Sequence, residues 1–347
     1  MEIDVIQDLI NVIALPKRRG IASAELEAAR AAAVDAVLMK VAEVRAAFYR
    51  AQAAAQIVEL RQTVLAASRA QYDLTQQLYE AGNVNDLVLN QERALFGEAK
   101  LALASAETDA VTAREQLTGL LGLSGDDTQW TMADRLPDPP DDEVELGDLE
   151  AIAIENNAGL DRERWRMKAA AGAIGLARLE AWLPHLGVGV SAEREFGGDW
   201  AVGPALTVSI PLFDRKQADR SKGASNLRRA QHRYAAIAVS VRATARAVGT
   251  ELTNARARVF FVRDEIIPVR TAVLAQTLRH YNAMDASPYS LLQAKRDEIG
   301  AGVMYIEALR DYWLARTKID ALRAGGLPGM AVETNTSADM GGSQGGH

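Results

Sequence analysis

Apolar side chains recur at steps of three and four residues along the first part of the chain. The larger ones are Val34, Val37, Leu38, Val41, Val44, Phe48, Ile57, Leu60, Val64, Leu74 and Leu78. This spacing is typical of a helix that packs on other helices along one side, and it predicts a helix from about residue 18, after Pro16, to residue 79. Such a helix is roughly 90 Å long at 1.5 Å per residue. We therefore expect coiled-coil-like packing along its length.

The same order of elements occurs twice, which predicts a repeat of two long helical hairpins. Residues 13–122 read Ile-Ala-Leu-Pro-Lys-Arg, a long Ala-rich helix, the tip Tyr-Glu-Ala-Gly at 79–82 and a helix that ends at Leu-Gly. Residues 210–325 read Ile-Pro-Leu-Phe-Asp-Arg, a long helix, Tyr-Asn-Ala-Met at 281–284 and a helix that ends at Ala-Gly. Pro268 is expected to kink the long helix of the second repeat.

These patterns divide the chain into seven segments. They are a first strand at 1–16, the first long hairpin at 17–122, a linker with a short helix at 123–160, a helix at 161–183, a β-hairpin at 184–212, the second long hairpin at 213–324 and a disordered tail at 325–347. Asp148 is expected to N-cap the short helix in the linker.

The hydrophobic period changes to two between residues 184 and 212. One face is aliphatic and comprises Leu186, Val188, Val190, Val202, Leu206, Val208 and Ile210. The opposite face is small or polar, and each strand has about nine residues, which matches a tilted transmembrane β-strand with its aliphatic side toward lipid. Aromatic residues stand at the strand ends, where an aromatic girdle would lie: Trp182, Phe196, Trp200 and Phe213. An ordinary soluble hairpin with one buried face explains the same alternation.

The composition of the chain excludes several kinds of binding and catalytic site. The chain is 48% hydrophobic, with a net charge of −7 and with basic and acidic residues interspersed, so we expect no nucleic-acid surface. It has no cysteine, which excludes disulfides, Cys-ligated metals and thiol catalysis. The four histidines, His185, His232, His280 and His347, show no ligand spacing, and no catalytic motif is present. We therefore predict no catalytic site, metal site or cofactor, and no enzyme activity.

Several motifs in order resemble those of the TolC-like outer membrane efflux proteins. They are Tyr-x-Ala-Gly at the first tip, Leu-Leu-Gly at 120–122, Leu-Pro at 183–184 and Gly-Pro-Ala-Leu-Thr-Val-Ser-Ile-Pro-Leu-Phe at 203–213. The resemblance covers about residues 2–325. Residues 13–19 and 305–313 are most similar to the heavy-metal-efflux-associated branch.

The resemblance implies a mainly α fold with a small β part. Three copies would form a periplasmic barrel of very long helical hairpins and close a transmembrane β-barrel in the outer membrane. The implied function is that of a passive conduit in a tripartite efflux system, for small molecules or metal ions. The implied partners are two further copies in a homotrimer, a periplasmic adaptor (membrane fusion) protein, an inner-membrane transporter and outer membrane lipid.

Two expectations qualify this hypothesis. The family has a β-hairpin before each helical hairpin, but here the first retains at most its second strand, near residues 2–13, and no signal peptide is visible. The chain is therefore expected to be N-terminally truncated. The alternative function is that of a soluble coiled-coil structural or adaptor protein, whose β-hairpin packs on protein.

The two helix–helix turns are the candidate site, because such tips form the periplasmic entrance and dock the adaptor in the family. The turns comprise Gly82, Asn83, Val84, Asn85 and Asp86, and Met284, Asp285, Ala286, Ser287 and Pro288. Ordinary solvent-exposed turns explain the same residues. Gly82 supplies the positive φ that such a turn needs. Since Met284 stands at the matching place, the second turn is expected to be built differently.

Ser290 and Gln293 follow the second tip and are predicted to line the entrance. Some relatives carry an acidic pair here, so these two residues do not support an acidic gate. Asp285 or Asp86 can supply a carboxylate ring instead, although a solvated turn carboxylate is the simpler interpretation.

Overall fold

The computed structural model describes residues 2–132, 135–182, 185–194, 200–209 and 216–328. The fold is mainly α with a small β part, as predicted. The strands are β1 (Glu2–Asp8), β2 (His185–Arg194) and β3 (Trp200–Ser209). The helices are α1 (Leu9–Glu80), α2 (Asp86–Leu121), α3 (Leu149–Asn156), α4 (Ala158–Trp182), α5 (Gln217–Phe261), α6 (Ile267–Asn282) and α7 (Pro288–Ala324), with a 3₁₀ turn at Gly125–Thr128 and a π-helical turn at Val262–Ile266.

Helix α1 has 72 residues and begins at Leu9, so the expectation that Pro16 precedes the helix was wrong. A proline inside a helix removes one backbone hydrogen bond and crowds the carbonyl four residues earlier. Contacts just beyond Pro16 hold this segment on α4: Arg18 pairs with Glu180 at 3.0 Å, and Lys17 Nζ donates to the Gly175 carbonyl at 3.3 Å. Tertiary docking therefore outweighs the local cost of the proline.

Pro268 is accommodated by a π-helical turn. The proline has no N–H to donate to the carbonyl of Asp264, and the helix widens just before it. The Ile267 N–H donates to the carbonyl of Val262, five residues back. The predicted kink is thus a one-residue change of helical register between α5 and α6.

The three strands form one antiparallel sheet in the order β1-β2-β3. Val190 pairs with Val5 of β1 and with Pro204 of β3, and Val188 pairs with Leu206. Directly paired residues of an antiparallel sheet lie on the same face. The register therefore places the alternating aliphatic positions of β2 and β3 opposite one another.

Helices α7 and α4 stack end to end between α1 and α5. The carbonyl of Gly325, which follows α7, accepts hydrogen bonds from the Ala158 N–H at 3.0 Å and from Asn157 Nδ2 at 3.3 Å. Asn157 also caps α4, because its Oδ1 accepts from the Leu160 N–H at 2.9 Å. Each helix end thus satisfies groups that the other leaves unpaired. The resulting composite rod contacts α1 and α5 along both of its parts.

The main core lies where α3, α5 and α7 meet, around fully buried Leu252, Leu309, Tyr312, Ile319 and Leu322. The tail was predicted to be disordered from residue 325, but Gly325, Gly326 and Leu327 are buried and Leu327 belongs to this core. The remainder of the predicted tail, 329–347, lies outside the described residues. Asp148 stands at the N-cap of α3, as predicted, but it makes no side-chain capping bond.

The linker between the repeats lies across α5 and α7 as a strap. Trp313 Nε1 donates to the Pro137 carbonyl at 2.8 Å, and Arg256 Nη2 donates to the Asp141 carbonyl at 2.7 Å. The Tyr312 hydroxyl donates to Glu143 at 2.6 Å, and burial raises the pKa of this hydroxyl well above its usual value. Donors on the helices thus fix the polar linker in place.

The α7–α4 junction predicts that an alanine at Gly325 lowers the free energy of unfolding more than an alanine at Gly122, which follows α2 at the matching position. Gly325 has a φ of 102°, and an added Cβ would lie 2.2 Å from the Asn156 carbonyl oxygen. Gly122 has a φ of 70°, with nothing within 4 Å of such a Cβ. Gly122→Ala should lower the free energy of unfolding by about 1–2 kcal/mol, because alanine is strained in the left-handed conformation. Gly325→Ala should cost about 1–3 kcal/mol more, because it also overpacks the junction.

Urea unfolding followed by far-ultraviolet circular dichroism measures both costs on the full chain. Equal losses in the two variants would contradict the end-to-end junction.

Candidate functional site

The first tip is a tight turn that ends α1 with a left-handed glycine. Gly82 has a φ of 75°. Its N–H donates to the Tyr79 carbonyl at 2.9 Å, and the Asn83 N–H reaches back to the Leu78 carbonyl at 2.8 Å. This pair of bonds satisfies the last carbonyls of the helix in the manner of a Schellman motif.

The second tip has the same backbone, so the expectation that it is built differently was wrong. Met284 has a φ of 60°, its N–H donates to the Tyr281 carbonyl at 3.0 Å, and the Asp285 N–H donates to the His280 carbonyl at 2.8 Å. A non-glycine residue pays about 1–2 kcal/mol for this conformation. Met284 is 96% exposed, so its side chain meets no steric obstacle there. His280 Nδ1 lies 2.9 Å from Asp285 Oδ2 and links the helix end to the turn.

Both returning helices begin with a side-chain cap. Asn85 Oδ1 accepts from the Val88 N–H at 3.1 Å, and Ser287 Oγ accepts from the Ser290 N–H at 3.2 Å. Asp86 and Pro288 occupy the first helical positions, where an acidic residue and a proline are each favourable. The two tips are therefore hydrogen-bonded turns with equivalent backbone conformations and caps.

Apolar and aromatic side chains surround the polar turns. Besides Met284, the exposed ones are Tyr79, Leu87, Tyr281 and Tyr289, with exposures of 37–63%. These four residues flank the predicted turns but were not among the predicted site residues. Exposed aromatic and methionine side chains are enriched at protein–protein contacts. The tips thus have the composition of a docking surface.

The carboxylates predicted for an entrance ring are each engaged by a neighbour. The Tyr79 hydroxyl interacts with Asp86, which raises the pKa of the tyrosine through their hydrogen bond. Asp285 pairs with His280. Neither carboxylate is buried, so each also faces solvent.

Ser290 and Gln293 lie on the first turns of α7. Ser290 Oγ donates to the Ser287 carbonyl at 2.7 Å, and Gln293 Nε2 donates to Asp297 Oδ1 at 2.9 Å. Asp297 also pairs with Arg270 of α6 at 2.9 Å. An acidic residue that was not predicted for the site therefore stands one turn beyond the predicted entrance positions.

A buried ion pair joins the two hairpins behind the tips. Glu92 of α2 is 1% exposed, and its Oε2 lies 3.6 Å from Arg296 Nη2 of α7. Buried polar residues of α1 accompany this region: Ser68, Gln71 and Thr75. Sequence spacing marks Glu92 as one polar residue among many, and only the fold shows that it faces the second hairpin.

The predicted lipid-facing residues lie on β2 and β3. Val188, Val190, Val202 and Leu206 are between 46% and 69% exposed. Leu186 and Val208 pair with each other in the register, and Ile210 lies outside the described residues. Of the predicted aromatic girdle, Trp182 ends α4 and Trp200 begins β3, while Phe196 and Phe213 lie outside the described residues.

Within the described ranges, no cluster of three or more His, Asp or Glu side chains is arranged to hold a metal ion. No helix in these described ranges is both long enough and apolar enough to cross a membrane.

Sequence comparison relates the first repeat to a known family. Residues 6–123 match the family model described as outer membrane efflux protein. The cobalt-zinc-cadmium resistance protein CzcC of Cupriavidus metallidurans is 25% identical over 250 residues. That match covers 70% of this chain and 57% of CzcC, so the chain spans little more than half the length of this relative.

Structure comparison extends the similarity across nearly the whole chain. The outer membrane protein VceC of Vibrio cholerae is 18% identical with a TM-score of 0.72, over 94% of this chain and 78% of VceC. The CmeC outer membrane channel of Campylobacter jejuni is 14% identical with a TM-score of 0.74, over 94% of this chain and 70% of CmeC. At these identities the structures show a shared fold. Residues 6–123 thus match the outer membrane efflux protein family, and the chain shares the fold of these outer membrane channels.

Proposed function

We propose that this chain is the outer membrane channel subunit of a tripartite efflux system. It acts as a passive conduit across the periplasm and outer membrane, and an inner-membrane transporter supplies the energy. The observation that carries the proposal is the pair of tips with equivalent backbones, each at the end of a long hairpin and surrounded by exposed apolar side chains. A periplasmic adaptor protein docks on these tips.

The flanks of the helical layer support assembly into a homotrimer. Near the tips, α2 packs chiefly on α1 and α6 packs chiefly on α7, so each of the two outer helices has an open side. Exposed apolar residues lie on both, with Leu101 and Val111 on α2 and Val269 and Val273 on α6. In a closed ring, α2 of one copy meets α6 of the next and buries these side chains. Closure also removes the unpaired edges of the three-stranded sheet.

The exported substrate class is a metal ion. This part of the proposal rests on the similarity to CzcC, whose name describes resistance to cobalt, zinc and cadmium. The ion is cargo in this proposal and passes through the tunnel, so no resident metal site is needed.

The alternative is a soluble coiled-coil structural protein whose hairpin packs on protein. The exposed aliphatic residues of β2 and β3 favour lipid, because Val202 and Leu206 are 68% and 69% exposed on one face.

The mass of the purified chain, measured by light scattering with and without mild detergent, distinguishes these two functions. We expect a trimer that requires detergent. Leu206→Arg should weaken insertion into lipid, because a cation on a lipid-facing strand costs about 2–4 kcal/mol at the membrane midplane. Val239→Arg is the matched control and should leave insertion unchanged, because Val239 is 66% exposed on α5, outside the strands and outside the proposed α2–α6 contact. A monomer or dimer that is soluble without detergent would contradict the channel function.

Substitutions of Met284 test whether the adaptor docks at the tips. Met284→Gly should raise the free energy of unfolding by about 1 kcal/mol, because glycine adopts a positive φ without the strain of a side chain. Met284→Glu keeps the strain and adds a charge to the docking surface, and it should weaken adaptor binding at least about tenfold. Adaptor affinity is measured by surface plasmon resonance on the trimer. Unchanged affinity in Met284→Glu and in Leu87→Glu would contradict docking at the tips.

The Glu92–Arg296 pair is expected to stabilise the contact between the hairpins. Arg296→Met leaves a buried carboxylate unpaired, which costs about 3–5 kcal/mol. Replacing both residues by methionine should recover most of that loss in urea unfolding. Arg45→Met is the control, because its pair with Asp320 is 3.8 Å long with side chains 58% and 40% exposed. A loss of less than about 1 kcal/mol in Arg296→Met would show that the pair does not hold the hairpins together.

A further inference from the structure

Basic side chains are concentrated where the long helices approach the sheet. The spans 13–20, 172–182 and 216–223 contain seven lysines and arginines and only two acidic residues, whereas the whole chain has a net charge of −7. Surface charges that serve only solubility are mixed in sign. A cluster of one sign, in a chain of the opposite net charge, indicates a partner of negative charge. We call the seven basic residues the collar: Lys17, Arg18, Arg19, Arg178, Lys216, Arg220 and Lys222.

The collar lies at one level of the structure. Lys17 Nζ of α1 donates to the carbonyl of Gly175 in α4, and Gly223 of α5 lies against Ile174, the neighbour of Gly175. Both α1 and α5 pack on α4. The collar residues of these three helices therefore belong to the same short section of the helical layer.

That section lies beside the sheet. Helix α1 begins at Leu9, immediately after β1, and α4 ends at Trp182, three residues before β2. At 1.5 Å per residue, Lys17 lies about 12 Å along α1 from Leu9. The headgroup layer of a bilayer extends roughly 5–7 Å beyond its hydrocarbon core, and the long side chains of lysine and arginine carry their charges to such an interface. With the sheet in lipid, the collar charges therefore lie within reach of the headgroups.

Most of the collar charge is not neutralised within the described part of the chain. The two acidic residues of these spans are already paired, Glu180 with Arg18 at 3.0 Å and Asp219 with Lys216 at 3.7 Å. Four collar residues are exposed and make no side-chain hydrogen bond or ion pair with a described residue: Arg19, Arg178, Arg220 and Lys222. These four charges are available to a partner.

The collar charges point in several directions around the helices. Successive residues of an α-helix point about 100° apart, so Lys17, Arg18 and Arg19 spread over about 200° of the circumference of α1. Arg220 and Lys222 are two residues apart and point to nearly opposite sides of α5. A tunnel borders only one face of each helix, so part of the collar faces the outside of a closed ring, where lipid lies.

We propose that the collar binds the phosphate groups of anionic lipid headgroups on the periplasmic surface of the membrane that holds the sheet. Arginine and lysine donate charge-assisted hydrogen bonds to phosphate oxygens, and basic clusters beside a membrane-bound segment attract anionic lipid. The proposal rests on the proposed channel function, because that function places the sheet in lipid. It adds a preference for anionic lipid and a charged contact that fixes how deeply the sheet inserts.

Flotation of the full chain with lipid vesicles tests the proposal. One set of vesicles is pure phosphatidylcholine, and the other contains about 30% phosphatidylglycerol, which supplies anionic headgroups. Binding to the neutral vesicles measures insertion of the sheet, and the ratio of binding to the two sets measures the contribution of the collar. We expect at least about a tenfold preference for the anionic vesicles at about 0.05 M salt and little preference at about 0.5 M, because salt screens the collar charges.

Two variants locate the preference on the chain. Three exposed collar residues are replaced together in the first: Arg19→Gln, Arg220→Gln and Lys222→Gln. This variant should lose most of the preference, while its binding to neutral vesicles stays unchanged. The matched control removes three exposed basic residues from the half of the first hairpin nearer the tip: Arg69→Gln, Arg93→Gln and Lys100→Gln. The control should keep the preference of the parent chain, because its change in net charge is the same.

Three outcomes would overturn the proposal. The first is equal binding of the parent chain to the two sets of vesicles. The second is a preference that the collar variant retains, which would assign anionic lipid to another surface. The third is loss of the preference when inorganic phosphate replaces chloride at the same ionic strength, which would assign the collar to a free anion. A parent chain that binds only the anionic vesicles, and that high salt releases, would support the collar but contradict insertion of the sheet and therefore the channel function.

Discussion

The structure depends on continuous lateral contact along its long helices. An alanine buries little apolar surface, so a helix such as α1, with 72 residues, gains only a small stabilisation per turn from each neighbour. A rod of this length remains straight only where partners follow it from end to end. The returning helices are too short to do this alone, since α7 has 37 residues and α2 has 36. Stacking α4 on α7 gives α1 and α5 a shared partner of sufficient length.

Helix termini are the weak points of such an arrangement, and the chain satisfies them with few residues. Asn156 and Asn157 donate side-chain hydrogen bonds to the last carbonyls of α7, and Asn157 also caps α4. At the tips, Asn85 and Ser287 cap the returning helices. A buried helix end without such partners would cost about 1–3 kcal/mol for each unpaired group. The polar residues at these four positions therefore determine where the hairpins can turn and where rods can join.

Periodicity and repeat order were sufficient to predict the mainly α fold and the two hairpins. They failed where a local preference competes with tertiary contacts. Pro16 was expected to precede α1, but docking of Lys17 and Arg18 on α4 carries the helix through it. Met284 was expected to change the second turn, but an exposed left-handed residue costs little compared with the hydrogen bonds that the turn provides.

The candidate site was only partly visible in the sequence for a related reason. The turns could be located from Gly82 and from the matching position of Met284, because a helix end leaves a local signal. Glu92 and Arg296 gave no such signal, since the two residues belong to different repeats and meet only after the hairpins pack. The strap between the repeats was likewise predicted only as a linker, because its bonds to Tyr312 and Trp313 span more than 160 residues of sequence and leave no local signal.

Helix ends and lateral helix contacts carry the polar and apolar interactions that distinguish this architecture. The two tips have equivalent backbones. In the proposed docking, a partner that recognises one turn therefore meets the same turn again at the second hairpin, although the side chains differ. Selection of a partner then depends on the residues around the turn, Tyr79 and Leu87 at one tip and Tyr281, Met284 and Tyr289 at the other. The two hairpins thus present turns with the same backbone, and the sequence differences between the hairpins give each turn its own contact surface.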